Sequence, residues 1–176
     1  IYLNEISKTM RKRTILYIVA ILVSGYFMNL SAQENKALNP IIFSDVPDMS
    51  MLRVGDTYYM SSTTMHMSPG VPIMKSKDLV NWELVNYAYD TLDDDDALSL
   101  TNGRSTYGRG SWASSIRYNK GTYYVTTFAQ TTEKTYIFTT KDIEKGPWVK
   151  HSFSPSLHDH SLFFDEDGRI YLIYGN

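Results

Sequence analysis

The chain has 176 residues, of which 43% are hydrophobic and 14% aromatic, which suits a globular, β-rich domain better than a disordered or fibrous protein. Its formal net charge is −2, so the sequence gives no electrostatic reason to expect binding to nucleic acid. It contains no cysteine, which excludes a lipid-modified cysteine after the N-terminal apolar run.

The first element in chain order is a targeting segment. From Met10, a basic run precedes an apolar stretch at residues 15–28 and a small-residue end at Ala32. This order is typical of a secretory signal peptide, so residues 10–33 are interpreted as a signal that is cleaved after Ala32 or Gln33. A transmembrane anchor is the alternative, but the apolar run is shorter than the roughly 20 residues that span a bilayer.

The signal interpretation divides the chain into three parts. Residues 1–9 precede Met10, and we expect them to be absent from the mature protein. Residues 34–176 are then an exported domain, periplasmic or extracellular, with no membrane association after cleavage.

From Asn39 onward the sequence predicts β-strands and no helix. No window keeps an apolar period of 3.6 residues for the length of a helix. Runs rich in β-branched and aromatic residues are bounded instead by Gly, Asp and Asn, as in "MLRVG", "TYYMSSTT", "SIRYNKG", "TYYVTTFA" and "TYIFTTKD". The exported part is therefore predicted to be all-β.

One sequence unit recurs three times. It reads "DMSMLRVGDTYYMSSTT" at 48–64, "ASSIRYNKGTYYVTTFA" at 113–129 and "DHSLFFDEDGRIYLIYG" at 159–175. The first two copies share a second half, "PIMKSKDLVNWELV" at 72–85 and "YIFTTKDIEKGPWVKH" at 136–151. Repeats of roughly 45 to 65 residues with about four short strands each predict a β-propeller, whose blades surround a central channel.

Alignment of the three copies places Asp48, Ala113 and Asp159 at the same position, at the start of each blade's first strand. First strands line the channel of a propeller, so Asp48 and Asp159 are predicted to be partners at its mouth. The alternative is that each aspartate caps its own turn, which is common for Asp in loops.

Four motifs in this order resemble glycoside hydrolase family 43, and the resemblance covers residues 39–176. The motifs are "NPIIFSDVPDMSMLRVGDTYYMSSTT", "PGVPIMKSKDLVNWELV", "GSWASSIRYNKGTYYV" and "HDHSLFFDEDGRIYL". The resemblance implies a five-bladed β-propeller, of which this chain carries roughly the first two and a half blades. It also implies hydrolysis of O-glycosyl bonds in xylan- or arabinan-type saccharides, as by a β-xylosidase or α-L-arabinofuranosidase. No cofactor and no metal site is predicted from the residues of this chain.

The resemblance also implies roles for the two aspartates. Asp48 stands at the position of the general base, and Asp159 at that of the residue that raises the pKa of the general acid and orients it. The family's general acid is a Glu of a later blade that these 176 residues do not include, so the chain is expected to be inactive alone. Glu166, in a "DEDG" turn, is predicted to lie too far from the channel to replace it. The family often has Pro after each aspartate, where this chain has Met49 and His160.

Four further residues are candidates for substrate binding. Trp112 resembles the family's sugar-contacting aromatic, although a buried core tryptophan is the alternative. His66 lies in a loop that is predicted to be beside the channel mouth, where a hydrogen-bonded loop histidine is the alternative. Arg104 and Arg109 flank the second-blade motif and are candidates for contact with substrate hydroxyls.

Two other patterns have structural interpretations. Trp82 and Trp148 recur at matched positions and are predicted to pack between blades. Asp90 and the run Asp93–Asp96 lack the alternating ligands and glycine bend of a calcium loop, so they are predicted to form a solvated loop between blades, with no metal site.

Two rival functions remain open at this level. A carbohydrate-binding propeller without catalytic activity would keep the aromatic residues but would not need both aspartates. A sialidase-like propeller is suggested by "SKDLVNW" and "TKDIEKGPW", which resemble Asp-box turns but lack the glycine that follows the Asp in that motif.

Overall fold

The computed structural model describes residues 37–65 and 68–175, so the signal segment and His66 lie outside the described residues. The described residues form strands and no helix, and accordingly no helix long and apolar enough to cross a membrane. The strands are β1 (Ser50–Val54), β2 (Thr57–Ser61), β3 (Gly70–Ser76), β4 (Glu83–Tyr89), β5 (Ser115–Asn119), β6 (Thr122–Ala129), β7 (Lys134–Thr140), β8 (Val149–Phe153), β9 (His158–Phe164) and β10 (Ile170–Gly175).

The strands form two complete antiparallel blades and the start of a third. The first blade has the order β1-β2-β3-β4, the second β5-β6-β7-β8, and β9 pairs with β10 alone. The all-β prediction and the division into two and a half repeats are confirmed. Within each blade, neighbouring strands are consecutive in the chain and antiparallel. A two-residue turn joins β5 to β6, and its residues Lys120 and Gly121 both have positive φ, as such a hairpin requires.

A serine of the repeat joins each first strand to that of the next blade. Ser50 Oγ accepts a hydrogen bond from the backbone N–H of Ile116 (3.2 Å), and Ser115 Oγ donates to Ser161 Oγ (3.3 Å). The strands β1, β5 and β9 are therefore neighbours at the inner edge of the arc. The recurrence of serine two positions after the aligned Asp48, Ala113 and Asp159 has this structural cause.

The apolar core lies between the first two blades. Phe138 is 1% exposed and stacks on Tyr89 of the first blade, with 5.6 Å between ring centroids. Trp148 packs against this core as predicted, whereas Trp82 is folded back onto its own turn by a hydrogen bond from its indole N–H to the Leu79 carbonyl (3.1 Å).

Phe138→Ala is expected to lower the free energy of unfolding by about 3–5 kcal/mol, because it leaves a cavity among groups that cannot collapse into it. Urea denaturation of the folded protein that carries this chain measures the change. Val149→Ala is the control, since Val149 is 54% exposed on an outermost strand and should change stability by no more than about 0.5 kcal/mol. Similar losses for both variants would contradict the position of the core.

The repeated Lys-Asp turns are held by their own aspartates. Asp78 Oδ1 accepts hydrogen bonds from the backbone N–H groups of Val80 (2.9 Å) and Asn81 (2.8 Å), and Asp142 Oδ1 accepts in the same way from Glu144 (3.0 Å) and its neighbour Lys145 (3.1 Å). Hydrogen bonds from Asn81 hold the pKa of Asp78 well below its ordinary value. Turn formation accounts for these repeats without a ligand-binding role.

The aspartate run between the blades is less solvated than predicted. Asp93 Oδ2 accepts hydrogen bonds from Lys134 Nζ (2.7 Å) and from the Tyr136 hydroxyl (3.1 Å), so it fastens the connection between blades to β7. Asp94 and Asp95 are exposed. Residues 37–65 and 68–175 contain no group of three or more His, Cys, Asp or Glu side chains that could hold a metal ion.

Candidate active site

The predicted site residues that the structure describes lie at one end of the blades, where β1, β5 and β9 begin. Asp48 stands two residues before β1, Trp112 three residues before β5, and Asp159 is the second residue of β9. Glu166 lies in the turn between β9 and β10, at the opposite end of β9. It therefore lies away from the aspartates, as the sequence predicted.

Asp159 lies in a β-bulge. The register of β9 against β10 shifts by one residue between Ile173 and Gly175, which places Asp159 and His160 together opposite Tyr174. A bulge bends the strand and re-aims a side chain, and bulges are frequent beside active sites. The aspartate is therefore turned out of the regular alternation of the strand.

The first blade has the same irregularity at Asp48. Ser50 pairs with Ser61 in the regular register, but the backbone N–H of Thr63 donates to the carbonyl oxygen of Pro47 (3.1 Å), one residue out of register. The strand that carries Asp48 thus gains one residue relative to its partner.

The second blade repeats the shift without a carboxylate. Ser115 pairs with Thr126, whereas the backbone N–H of Trp112 donates to the Phe128 carbonyl (2.9 Å), again one residue out of register. Ala113 occupies the position of the aspartates. The alignment drawn from the sequence is therefore also a structural equivalence, and two of the three positions carry an acid.

Both aspartates have left-handed backbone conformations, with φ of 50° at Asp48 and 46° at Asp159. Such conformations are uncommon outside glycine, although Asp adopts them more readily than most residues, and they concentrate at functional sites. Among the described residues, neither carboxylate accepts a hydrogen bond from its own turn, so the turn-cap alternative finds no support. Asp48 Oδ2 accepts instead from the Thr63 hydroxyl (3.1 Å).

Thr63 was missed by the sequence analysis. It is buried, its hydroxyl orients the Asp48 carboxylate, and Asp48 itself stays exposed. Its position could have indicated this role, because it lies just after β2, opposite the residues that precede β1.

Trp112 is fixed by its backbone and only partly buried. Its N–H donates to Phe128, its carbonyl accepts from the Thr127 hydroxyl (2.8 Å), and its indole N–H is buried without a hydrogen-bond partner among the described residues. The residue combines the buried indole N–H of the core alternative with a partly exposed position at the site.

Arg104 and Arg109 lie on the connection between β4 and β5, which joins the two blades at the end where the aspartates lie. Both are exposed, and neither guanidinium forms a hydrogen bond or ion pair within the described residues. The backbone carbonyl of Arg109 accepts from the Thr131 hydroxyl (2.6 Å), which fixes this part of the connection to the second blade. Within the described part of the chain, both guanidinium groups are therefore exposed and unpaired.

Two histidines that flank Asp159 pack on one phenylalanine. The ring of His158 lies 4.5 Å from that of Phe128, and the ring of His160 lies 6.0 Å from it in an edge arrangement. Burial lowers the pKa of His160 below its ordinary value, against the opposing effects of the Leu157 carbonyl and the Asp159 carboxylate, so the imidazole is neutral near pH 7.

Comparison with known proteins identifies the family. The model of glycosyl hydrolases family 43 matches residues 37–176. The chain belongs to this family. The family's solved β-propeller members share its fold, and the two and a half repeats of this chain correspond to a part of them.

Similar proteins include pentose-releasing enzymes. The chain is 40% identical over 136 residues to a beta-xylosidase of Formosa agariphila and 30% identical over 159 residues to a non-reducing end alpha-L-arabinofuranosidase of Bacteroides ovatus. These matches cover 74% and 89% of this chain, but only 22% and 29% of the two relatives. The chain thus spans under a third of their length.

Solved structures give the same result. A bifunctional GH43-CE protein of Bacteroides eggerthii is 72% identical with a TM-score of 0.75, over 80% of this chain and 18% of that one. An engineered GH43 glycoside hydrolase that displays endo-xylanase and exo-arabinofuranosidase activity is 29% identical with a TM-score of 0.67, over 78% of this chain and 28% of that one.

Proposed function

We propose that this chain is part of a glycoside hydrolase that releases xylose or arabinose from xylan- or arabinan-type saccharides with inversion of configuration. Membership of family 43 and the named activities of the relatives support the reaction class. The observation that carries the proposal is the placement of Asp48 and Asp159 in equivalent bulges of two first strands at one end of the arc.

Asp48 is proposed as the general base. Its carboxylate is exposed, so a water molecule can reach it, and Thr63 leaves one of its oxygens without a partner among the described residues. In inverting hydrolysis this oxygen takes the proton of the attacking water while a protonated carboxyl on the other side protonates the leaving oxygen. The two groups stand roughly 6.5–9.5 Å apart so that the water fits between them.

Asp159 is proposed to act on the general acid, a glutamate outside these 176 residues. A carboxylate beside a second carboxyl disfavours ionisation of the latter and so raises its pKa, which keeps the acid protonated near neutral pH. Trp112, Arg104 and Arg109 are proposed to contact the sugar, the indole by stacking and the guanidinium groups through hydroxyl oxygens.

The rival without catalysis, a carbohydrate-binding propeller, is weaker because it gives no reason for acids in two equivalent bulges. The sialidase-like rival has less support, because the chain matches the family 43 model and the turns at Asp78 and Asp142 lack the glycine that follows the Asp in an Asp-box.

The full-length protein that carries this chain is expected to hydrolyse 4-nitrophenyl β-D-xylopyranoside or 4-nitrophenyl α-L-arabinofuranoside. Proton NMR of the first product should show the opposite anomer to the substrate before mutarotation. Matched hexose glycosides are the control and should react far more slowly. Absence of turnover on both pentosides would contradict the reaction class, and retention of configuration would contradict the role of Asp48.

A further inference from the structure

The two candidate acids are held in place differently. The carboxylate of Asp48 is oriented directly, by the Thr63 hydroxyl. The carboxylate of Asp159 accepts no hydrogen bond from the described residues, and the side chain is exposed. Its direction therefore depends on its backbone, which is left-handed and lies in a bulge.

The next residue, His160, makes a hydrogen bond across this part of the backbone. His160 is 4% exposed, and its Nδ1 lies 2.8 Å from the carbonyl oxygen of Leu157. A carbonyl oxygen can only accept, so Nδ1 carries the proton and donates it. The bond joins residues 157 and 160 around Asp159, and it spans the one residue whose φ is left-handed.

The imidazole is itself immobilised. It shares the core-facing side of β9 with Leu162, which is 6% exposed, and its edge meets the ring of Phe128. Phe128 is 1% exposed and accepts the Trp112 N–H through its carbonyl, so the second blade provides a rigid support. A strained conformation persists only where its surroundings determine it, and these contacts supply that condition at Asp159.

We propose that His160 is a positioning residue for Asp159: its Nδ1–H donor holds the bulge and thereby sets the distance from the Asp159 carboxylate to the general acid. This inference rests on the proposed function. In this role the residue acts through Asp159 and not on the substrate itself.

Two substitutions separate the hydrogen bond from the packing. His160→Phe keeps a ring against Phe128 but has no donor, whereas His160→Asn loses the ring and keeps an N–H donor near the place of Nδ1. In the full-length enzyme, His160→Phe is expected to lower kcat about 10- to 100-fold with KM within about threefold. His160→Asn is expected to keep kcat within about threefold of wild type.

The pH profile distinguishes positioning from simple loss of stability. When Asp159 moves away, the acid loses the neighbouring charge, its pKa falls, and the basic limb of kcat/KM moves to lower pH. Asp159→Asn should move the basic limb of kcat/KM in the same direction. The double variant should then behave much like Asp159→Asn alone, because both substitutions remove the same interaction. His151→Phe, on exposed strand β8, is the matched control and should leave kcat and the limb unchanged.

Several outcomes would overturn the inference. The first is a wild-type kcat and an unshifted basic limb of kcat/KM in His160→Phe. The second is a lowered kcat in His160→Asn while His160→Phe behaves as wild type. The third is additivity of the effects of His160→Phe and Asp159→Asn. If His160→Phe does not fold, His160→Asn decides: an unshifted limb supports the role of the donor, and a shifted one contradicts it.

A crystal structure of the Phe variant separates this inference from the proposed function. The Asp159 backbone should leave the left-handed region when the donor is removed. An unchanged φ would refute the positioning role even for an enzyme that acts on pentosides, and a changed φ would support it even if the wild-type enzyme hydrolysed neither pentoside.

Discussion

Asp48→Asn in the full-length enzyme is expected to lower kcat about 10²- to 10⁴-fold while KM and the affinity for xylose or arabinose change little. The amide keeps the size of the carboxylate and a carbonyl that can accept the Thr63 hydroxyl, but it cannot take the proton of the attacking water. The interaction that is lost exists only in the transition state, so the effect should appear in kcat and kcat/KM together. Steady-state kinetics on the pentosides measure kcat and KM, and calorimetric titration with the free sugar measures its affinity.

Asp45→Asn provides the matched control. Asp45 is an exposed aspartate three residues upstream, outside the bulge, and its substitution should leave turnover within about twofold of wild type. Turnover of Asp48→Asn within about threefold of wild type would show that another group is the base. A parallel loss of sugar affinity would show that Asp48 binds rather than activates.

A polypeptide of residues 34–176 alone is expected to show no pentosidase activity and no cooperative unfolding transition as a monomer. The third sheet consists of β9 and β10 only. One side is covered at Leu162, which is 6% exposed, but the other side presents Phe163 (52% exposed), Tyr171 (40%) and Ile173 (60%) together. A two-stranded sheet with one apolar face in water is marginal, and such a patch favours association.

The loss of activity has a separate cause. The glutamate proposed to protonate the leaving oxygen is not among these residues, and that assistance is worth on the order of 10²–10⁴ in rate. Thermal unfolding by circular dichroism, light scattering and pentoside turnover check the expectation. A control variant with Phe163→Ser and Ile173→Ser should reduce association without restoring turnover. A monomeric, cooperative melt with turnover would contradict both parts.

The sequence by itself determined the strands, their grouping and the position of the two acids. Alternating β-branched and aromatic residues and the Gly, Asp and Asn turns act over a few neighbouring residues, so most strands could be placed without knowledge of the fold. The strands β3, β4 and β8 were predicted only as members of a four-stranded repeat, without bounds of their own. The repeat added the equivalence of Asp48, Ala113 and Asp159, because a structural unit used three times needs similar residues at similar positions.

Local sequence patterns are less informative about the surroundings of single side chains. His160 alternates with Leu162 and Phe164 along β9, and this parity alone could have predicted its burial. The run of aspartates gave no such indication, because Asp93 is fastened by Lys134 and Tyr136 of the following blade. The sequence of a charged run shows which residues it contains, but not which residues of other strands they pair with.

Only the tertiary structure decided how the candidate site is held. The Thr63 hydroxyl on Asp48, the bond from Ser115 to Ser161 and the Phe128 ring behind His160 each join residues that the fold brings together from separate strands. The bulges and left-handed backbones at Asp48 and Asp159 depend on the register between neighbouring strands. Register is set by pairing and packing across the whole blade, so no short stretch of sequence encodes it.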